Sequence, residues 1–200
     1  MAAINKPLAF VQGSTFSLVL RWEKEPIVYK LVTAITQTAP VRITVPMHGV
    51  VEGWRATVVG GKGMDELRAV PNEIKDRDYH QVTVIDADTI EFNDVNAAGF
   101  KAYSGGAHLQ YNTPVELAGY VARLPVKDKV GGTVLFEMTT ENSRILLDPL
   151  LHTITLTATA ADLADQTWVK GVYELELESP SGVVTKLMGG VATVAKEIST

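Results

Sequence analysis

The sequence contains no cysteine among its 200 residues. Disulfide scaffolds, thiolate metal sites and cysteine nucleophiles are therefore excluded. There is also little excess charge, because 18 basic residues against 23 acidic ones give a formal net charge of -5. Binding to a nucleic-acid backbone needs a basic surface. We therefore expect no nucleic-acid partner.

Long hydrophobic runs are absent as well. Lys6 and Pro7 interrupt the N-terminal segment before the apolar stretch of a signal peptide develops. Later apolar runs are only a few residues long, whereas a membrane-spanning helix needs about 20. Hydrophobic residues nevertheless make up 46% of the chain. We expect a protein made in a cytoplasm, with a real core and no membrane partner.

The dominant pattern in the chain is alternation with period two, which is typical of half-buried strands. In the segment 16–22 every second residue is apolar, and in 172–178 three glutamates alternate with Tyr173, Leu175 and Leu177. The same alternation recurs at 43–45, 82–85, 90–92, 121–126 and 154–157. About a dozen short strands of this kind predict an all-β protein.

Capping and turn residues refine this prediction. Thr159 is suited to cap a short helix near 159–166, and the acid that follows in the first turn favours the helix dipole. Ser179 to Gly182 is typical of a hairpin loop. Breaks at 86–88 and 129–132 separate further strands.

The spacing of the strands suggests a discontinuous domain. The strand that begins at Gly119 needs a preceding partner, and the best candidate is 16–22, about a hundred residues earlier. The stretch between them has strands and aromatics enough for a small core of its own. We predict a β-sandwich from 1–29 and 112–200, with an inserted β-barrel at 30–111.

Three stretches carry a family resemblance: FVQGSTFSLVLRW at 10–22, GYVARLPVKD at 119–128, and the closing set at 154–194. Together they resemble a β-sandwich module of bacteriophage virion proteins. Such modules are similar to the immunoglobulin-like N-terminal domains by which tail and baseplate proteins attach to the particle. The resemblance implies an immunoglobulin-like sandwich and a structural role.

The intervening stretch resembles a small β-barrel insert of phage proteins. This insert is similar to the first catalytic cysteine half-domain of ubiquitin-activating enzyme. The matching residues are 35–36, 48–49, 53, 60, 62–64, 67, 79, 82–84, 88–92 and 103–106. Extra residues at 71–75 depart from the pattern. The resemblance implies a fold and no thioester chemistry, since there is no cysteine.

Motifs that could carry chemistry have simpler explanations. In 60–64 the lysine is followed by glycine instead of the Ser or Thr of a phosphate loop, so a glycine turn is favoured. Asp86, Asp88 and Glu91 lack EF-hand spacing and fit a solvated turn, and 76–78 fits a surface loop. The four histidines, at 48, 80, 108 and 152, show no metal-ligand spacing. No nucleophile elbow is present. We expect no enzyme, metal or cofactor.

Among the tryptophans, Trp22 falls on an apolar strand face, whereas Trp54 follows Gly53 at a turn and is predicted to be the most exposed. Trp54 and Tyr103 are therefore the candidate ligand or partner contacts. The resemblance implies that the protein is a structural phage protein, located in the virion. It would dock as multiple copies or a homo-oligomeric ring on other structural proteins of the tail, neck or baseplate. The alternatives are a carbohydrate- or receptor-binding module and a capsid decoration protein.

Overall fold

The structure is a computed structural model that describes residues 4–70 and 72–197. Within these residues the chain forms seventeen strands, more than the dozen expected because several have only two residues. One α-helix, α1 (Ala160–Ala164), and a 3₁₀-helix, Asp76–Asp78, accompany them. The all-β prediction is confirmed.

The strands in chain order are β1 (Ile4–Asn5), β2 (Leu8–Val11), β3 (Phe16–Arg21), β4 (Glu23–Leu31), β5 (Ala34–Ile35), β6 (Val41–Thr44), β7 (Arg55–Lys62), β8 (Arg68–Ala69), β9 (His80–Val84), β10 (Thr89–Phe92), β11 (Gly105–Pro114), β12 (Val121–Lys127), β13 (Val134–Thr139), β14 (Ile145–Asp148), β15 (Thr153–Ala158), β16 (Lys170–Glu178) and β17 (Val184–Ala195).

The chain divides into two compact units. One, the terminal unit, consists of Met1–Trp22 and Glu116–Thr200; the other, the central unit, consists of Glu23–Val115. The boundaries drawn from sequence, 29/30 and 111/112, fall inside β4 and β11. These two strands pair along their length, so residues 23–29 and 112–115 belong with the central unit.

Two sheets form the terminal unit in a sandwich-like arrangement. One has the order β1-β17-β16-β12-β13, with β2 also paired to β17, and the other has the order β14-β15-β3. Phe10 from the first sheet contacts Phe16 from the second, with ring centroids 4.6 Å apart. The predicted alternation holds in β16, where Tyr173, Leu175 and Leu177 are buried and the glutamates face away.

The predicted pairing of 16–22 with the strand after Gly119 is wrong. Strand β3 pairs with β15, and β12 lies between β13 and β16. Strands β12 and β13 are consecutive and joined by a short turn, so the loop-closure cost of their pairing is small. For the strand after Gly119, the partner about a hundred residues away that was inferred from sequence is therefore replaced by the neighbouring strand β13.

The helix and its cap are as predicted. The Thr159 hydroxyl accepts a hydrogen bond from the Asp162 amide, and the Asp162 carboxylate accepts one from the Thr159 amide. This capping box satisfies two amides that the first turn leaves unpaired. Leu163 is the buried residue that anchors the helix.

One continuous sheet makes up the central unit, in the order β4-β11-β7-β9-β10-β6-β5, with β8 on β7. Its inner face packs around a cluster of fully buried side chains that includes Ile43, Trp54, Ile90, Phe92 and Leu109. Removing this apolar surface from water is the main stabilising contribution available to the unit. The cluster is drawn from residues 32–111.

Candidate functional site

A groove of about 520 Å³ lies on the surface of the central unit, over strands β4, β11 and β7. Its lining combines aromatic, aliphatic and amide side chains with one imidazole. The lining residues are Ile27, Tyr29, Val59, Gly60, Asn72, Ile74, Tyr79, His108 and Gln110. The volume is in the range of about 300–1,000 Å³ that is typical of small-molecule sites.

The register of three neighbouring strands builds the floor of the groove. Tyr29 lies opposite Gln110, and His108 lies opposite Val59. Residues directly opposite each other share one face of a sheet. The alternate positions, including Leu109, are buried in the core on the other face. The groove therefore lies on the face that points away from the core.

The segment between β8 and β9 supplies the facing wall through Ile74 and Tyr79. Two contacts hold Tyr79 in place. Its hydroxyl accepts a hydrogen bond of 3.2 Å from Gln110 Nε2, and the Arg55 guanidinium lies 4.8 Å from the centroid of its ring. A cation over the face of an aromatic ring is attracted by the ring quadrupole. The wall is thus positioned before any ligand binds.

Arg55 is itself held by carboxylates. Its Nε and one terminal nitrogen donate to the two oxygens of Glu23, at 2.7 and 2.9 Å, and the other terminal nitrogen donates to Asp76 at 3.2 Å. The hydrogen bond to Glu23 is the largest cause of the raised pKa of Arg55, with burial opposing it. The Asp76 contact ties the wall segment to the strands beneath it.

The groove lining, as far as the structure describes it, contains no aspartate, glutamate, lysine or arginine. Tyr29 projects into solvent with 55% of its surface exposed, while Gln110 is buried. The arrangement offers two phenols, two amides and an imidazole beside apolar side chains. Such a set suits reversible binding of an uncharged, hydroxyl-rich molecule.

Neither of the candidate contacts predicted from sequence lines this groove. Trp54 is fully buried, so the prediction that it is the most exposed tryptophan is wrong. Its indole turns inward and Nε1 donates to the Asn112 carbonyl at 3.0 Å. Because the ring has no accessible face, Trp54 has no surface on which a ligand could stack.

Tyr103 is half-buried against the same core. Its hydroxyl donates to the Val32 carbonyl at 2.9 Å and accepts from the Ala107 amide at 3.0 Å. Both hydrogen-bonding capacities of the hydroxyl are therefore used within the fold. The structure gives Tyr103 the role of linking the end of β4 to β11.

The histidines bond to separate parts of the fold. His48 accepts from the Val50 amide through Nδ1 and donates to the Asp86 carbonyl through Nε2. His80 contacts Asp94 at 2.8 Å and stacks on Phe92. Among the described residues, no group of three histidine, aspartate or glutamate side chains comes close enough to hold a metal ion.

The carboxylates at the β9–β10 turn act within the fold. Asp86 accepts from the Asp88 amide, which is the largest cause of its lowered pKa. Asp88 accepts from the Met47 amide, and Glu91 accepts from Arg42 on the neighbouring strand. These carboxylates bond to different partners instead of converging on one point.

Sequence reasoning missed the groove because its residues are far apart in the chain. One signal did point to it: the segment 71–75 departs from the resembling barrel pattern, and Asn72 and Ile74 of that segment line the groove. The pairing of β4 with β11 that brings Tyr29 beside Gln110 has no comparable local signal.

No model of a known protein family matches the chain, and no curated protein has a matching sequence. Neither helix in the described part of the chain has the length and apolar character that crossing a membrane requires.

Proposed function

We propose that this chain is a structural component of a bacteriophage particle. It docks as multiple copies on the tail, neck or baseplate and mediates protein–protein assembly. The proposal starts from the resemblance of three separated stretches to a virion β-sandwich module. All three fall in the terminal unit, where 119–128 contributes β12 beside β16, and 10–22 contributes β3 beside β15.

The observation that carries the docking role is an exposed apolar row on the three-stranded sheet. Val19 on β3 and Leu146 on β14 both lie opposite Thr155 on β15, so the three side chains share one face. Val19 is 51% exposed and Leu146 is 52% exposed. Leu150, in the turn between β14 and β15, is also strongly exposed. Exposed apolar side chains grouped on one face, here two that flank a threonine, are a feature of protein contact sites.

The sheet also offers strand edges for pairing. In the described residues β3 pairs with β15 on one side, at the end of the order β14-β15-β3. An open edge can accept a strand from a partner through main-chain hydrogen bonds. Each copy would add a modest interface, and a symmetric ring would multiply the total affinity.

The finer fold assignment is part of the same proposal: an immunoglobulin-like sandwich carrying an inserted small barrel. Support for the barrel comes from residues 32–33, which join the two outermost strands of the central sheet. The Val32 amide donates to Ala107 beside β4, and the Thr33 amide donates to Thr44 beside β5, each at 2.9 Å. One chain segment thus connects the two ends of the sheet order.

Mass spectrometry and cryo-electron microscopy of purified particles of the parent phage test the function. We expect the chain in stoichiometric, symmetric copies at the tail, neck or baseplate. Its absence from purified particles would contradict the proposal. Copies spread over the capsid shell would instead establish the decoration alternative.

A variant pair tests the docking surface. The double change Val19→Lys and Leu146→Lys places charge on the exposed row, and we expect incorporation into particles to be lost because a desolvated lysine opposes burial. The matched control is Val130→Lys, at a 90% exposed position in the turn between β12 and β13. Equal incorporation of both proteins would exclude this face as the contact.

A further inference from the structure

We infer that the groove over β4, β11 and β7 is a binding site for a neutral carbohydrate. The inference is independent of the proposed structural role, because it rests on the central unit alone. It also differs from the sugar platform considered from sequence, since Trp54 and Tyr103 take no part in it.

The chemistry of the lining selects the ligand class. Asn72, His108 and the two tyrosine hydroxyls provide both donors and acceptors of hydrogen bonds, while the buried Gln110 holds Tyr79 in position. The tyrosine rings and the aliphatic side chains beside them offer apolar surface for the C–H faces of a sugar ring. Because the described lining holds no carboxylate, lysine or arginine, phosphorylated and acidic ligands would find no counter-charge there.

The backbone beneath the groove disfavours the main competing ligand, an extended peptide. Strand addition needs a row of unpaired amides and carbonyls. Here β11 is paired on both sides, with β4 and with β7, whereas β4 ends the sheet order, so a peptide strand would add along the outer edge of β4 and not inside the groove. The groove therefore presents side chains to a ligand. Sugars are recognised by side chains, whereas an added strand is recognised by main-chain amides and carbonyls.

The two tyrosines of the groove are held to different degrees by the rest of the fold. Tyr79 is held by Gln110 and by Arg55, so its position costs little to maintain on binding. Tyr29 is more than half exposed and is the side chain best placed to stack on a ring. Aromatic side chains supply contact area at a low cost in conformational entropy.

Two neighbouring residues of β4 provide a matched pair for the test. Tyr29 and Leu31 point to the same face and have nearly equal exposure, 55% and 56%, but only Tyr29 lines the groove. Tyr29→Ala should therefore weaken binding, and Leu31→Ala should not. Circular dichroism and thermal unfolding of both variants check that they fold, as expected for exposed positions.

In the experiment, the full chain is titrated with neutral di- and trisaccharides of glucose, galactose, mannose and N-acetylglucosamine. Binding is measured from the change in amide chemical shifts in NMR spectra. Sialyllactose and an uncharged tripeptide serve as comparison ligands. We expect millimolar binding of at least one neutral sugar, with shifts confined to the groove and a roughly tenfold loss of affinity in Tyr29→Ala. Leu31→Ala should bind as the wild type does.

Three outcomes would overturn the inference. One is no binding of any neutral sugar up to about 10 mM. The second is binding that Tyr29→Ala leaves unchanged, which would locate it elsewhere. The third is stronger binding of sialyllactose or the tripeptide, which would assign the groove to another ligand class. None of these results bears on whether the chain is present in phage particles.

Discussion

Gly63 shows why a glycine-rich segment is required between β7 and β8. Its φ is +72°, and a Cβ built at this position would lie 2.0 Å from the Ala102 carbonyl oxygen. Gly61 is similarly close to the backbone of Ala107. Glycine at these positions lets two stretches of backbone approach each other, which accounts for the segment that superficially resembles a phosphate loop.

Replacing Gly63 by alanine should therefore be strongly destabilising. The backbone would have to shift and a left-handed φ would be strained, so we expect the free energy of unfolding to fall by about 2 kcal/mol or more. Gly99→Ala is the matched control, since a Cβ there meets nothing within 4 Å. It should change the free energy by less than about 0.5 kcal/mol. Urea denaturation of both variants measures this, and equal effects would contradict the geometric account.

At the residue scale, the sequence predicts whether a side chain is buried or exposed only where the local pattern determines it. Tyr173, Leu175 and Leu177 alternate with glutamates, and the structure buries the former as expected. The predicted exposure of Trp54 is wrong because it was inferred from the neighbouring Gly53, which is typical of an exposed turn. The hydrogen bond that turns the indole inward goes to Asn112, 58 residues away along the chain, and no local pattern indicates such a partner.

At the scale of elements, helix α1 depends on one carboxylate that serves several partners. Asp162 accepts from the Arg144 guanidinium and from the amide and hydroxyl of Thr159. These hydrogen bonds, with that of Arg144 the largest, lower the pKa of Asp162 from 3.8 to about 2. Arg144 also donates to the Glu137 carbonyl of β13, so the same group links strand, turn and helix.

This lowered pKa predicts an acid-dependent loss of stability. The unfolded chain binds a proton at Asp162 near the ordinary pKa, whereas the folded chain binds it only near pH 2. The stabilisation is therefore complete above about pH 5 and is lost progressively as pH falls toward 2. In Asp162→Asn, which does not titrate, the deficit in unfolding free energy relative to wild type should shrink over this range.

Urea denaturation at pH 6, 4, 3 and 2 measures the effect, and Arg144→Gln provides the second variant. The Arg144 hydrogen bond is the largest cause of the lowered pKa of Asp162. In the Arg144→Gln background, the loss of unfolding free energy caused by Asp162→Asn should therefore depend less on pH than it does in the wild-type background. A deficit that stays constant from pH 6 to pH 2 would show that the carboxylate contributes no linked stability.

Strand β4 shows what an alternating pattern leaves undetermined. Ile27, Tyr29 and Leu31 alternate with Val28 and Lys30, so the first three have the composition of a buried face. In the structure they are exposed, and Val28 packs against the core. Period two predicts a strand, but register with β11 decides which face turns inward. The floor of the groove depends on that register, so the sequence predicts only the inserted segment 71–75 of its wall and not the residues beneath it.

At the scale of the whole molecule, the chain alternates between two compact units, and the junctions follow Trp22 and Val115. The buried cluster of the central unit is drawn from within 32–111. A unit whose core comes from one continuous stretch of chain has the organisation expected of an autonomous domain. We predict that the central unit folds alone, and the structure places its limits at 23 and 115, whereas the sequence places them at 30 and 111.

Two fragments distinguish these boundaries. The fragment 23–115 retains all of β4 and β11, and we expect it to unfold cooperatively in urea with dispersed amide resonances. The fragment 30–111 loses most of β4, including the Val28–Tyr111 and Ile27–Asn112 pairs. It also loses the Asn112 carbonyl that accepts from Trp54 and the Glu23 carboxylate that holds Arg55. Each hydrogen bond lost from a partly buried site costs about 1 kcal/mol, so this fragment should be markedly less stable.

Limited proteolysis of the full chain should likewise cut near 22–23 and 115–118 and release the longer fragment. If 30–111 is as stable as 23–115, or if cleavage occurs only between residues 40 and 100, the central unit is not a domain with these limits.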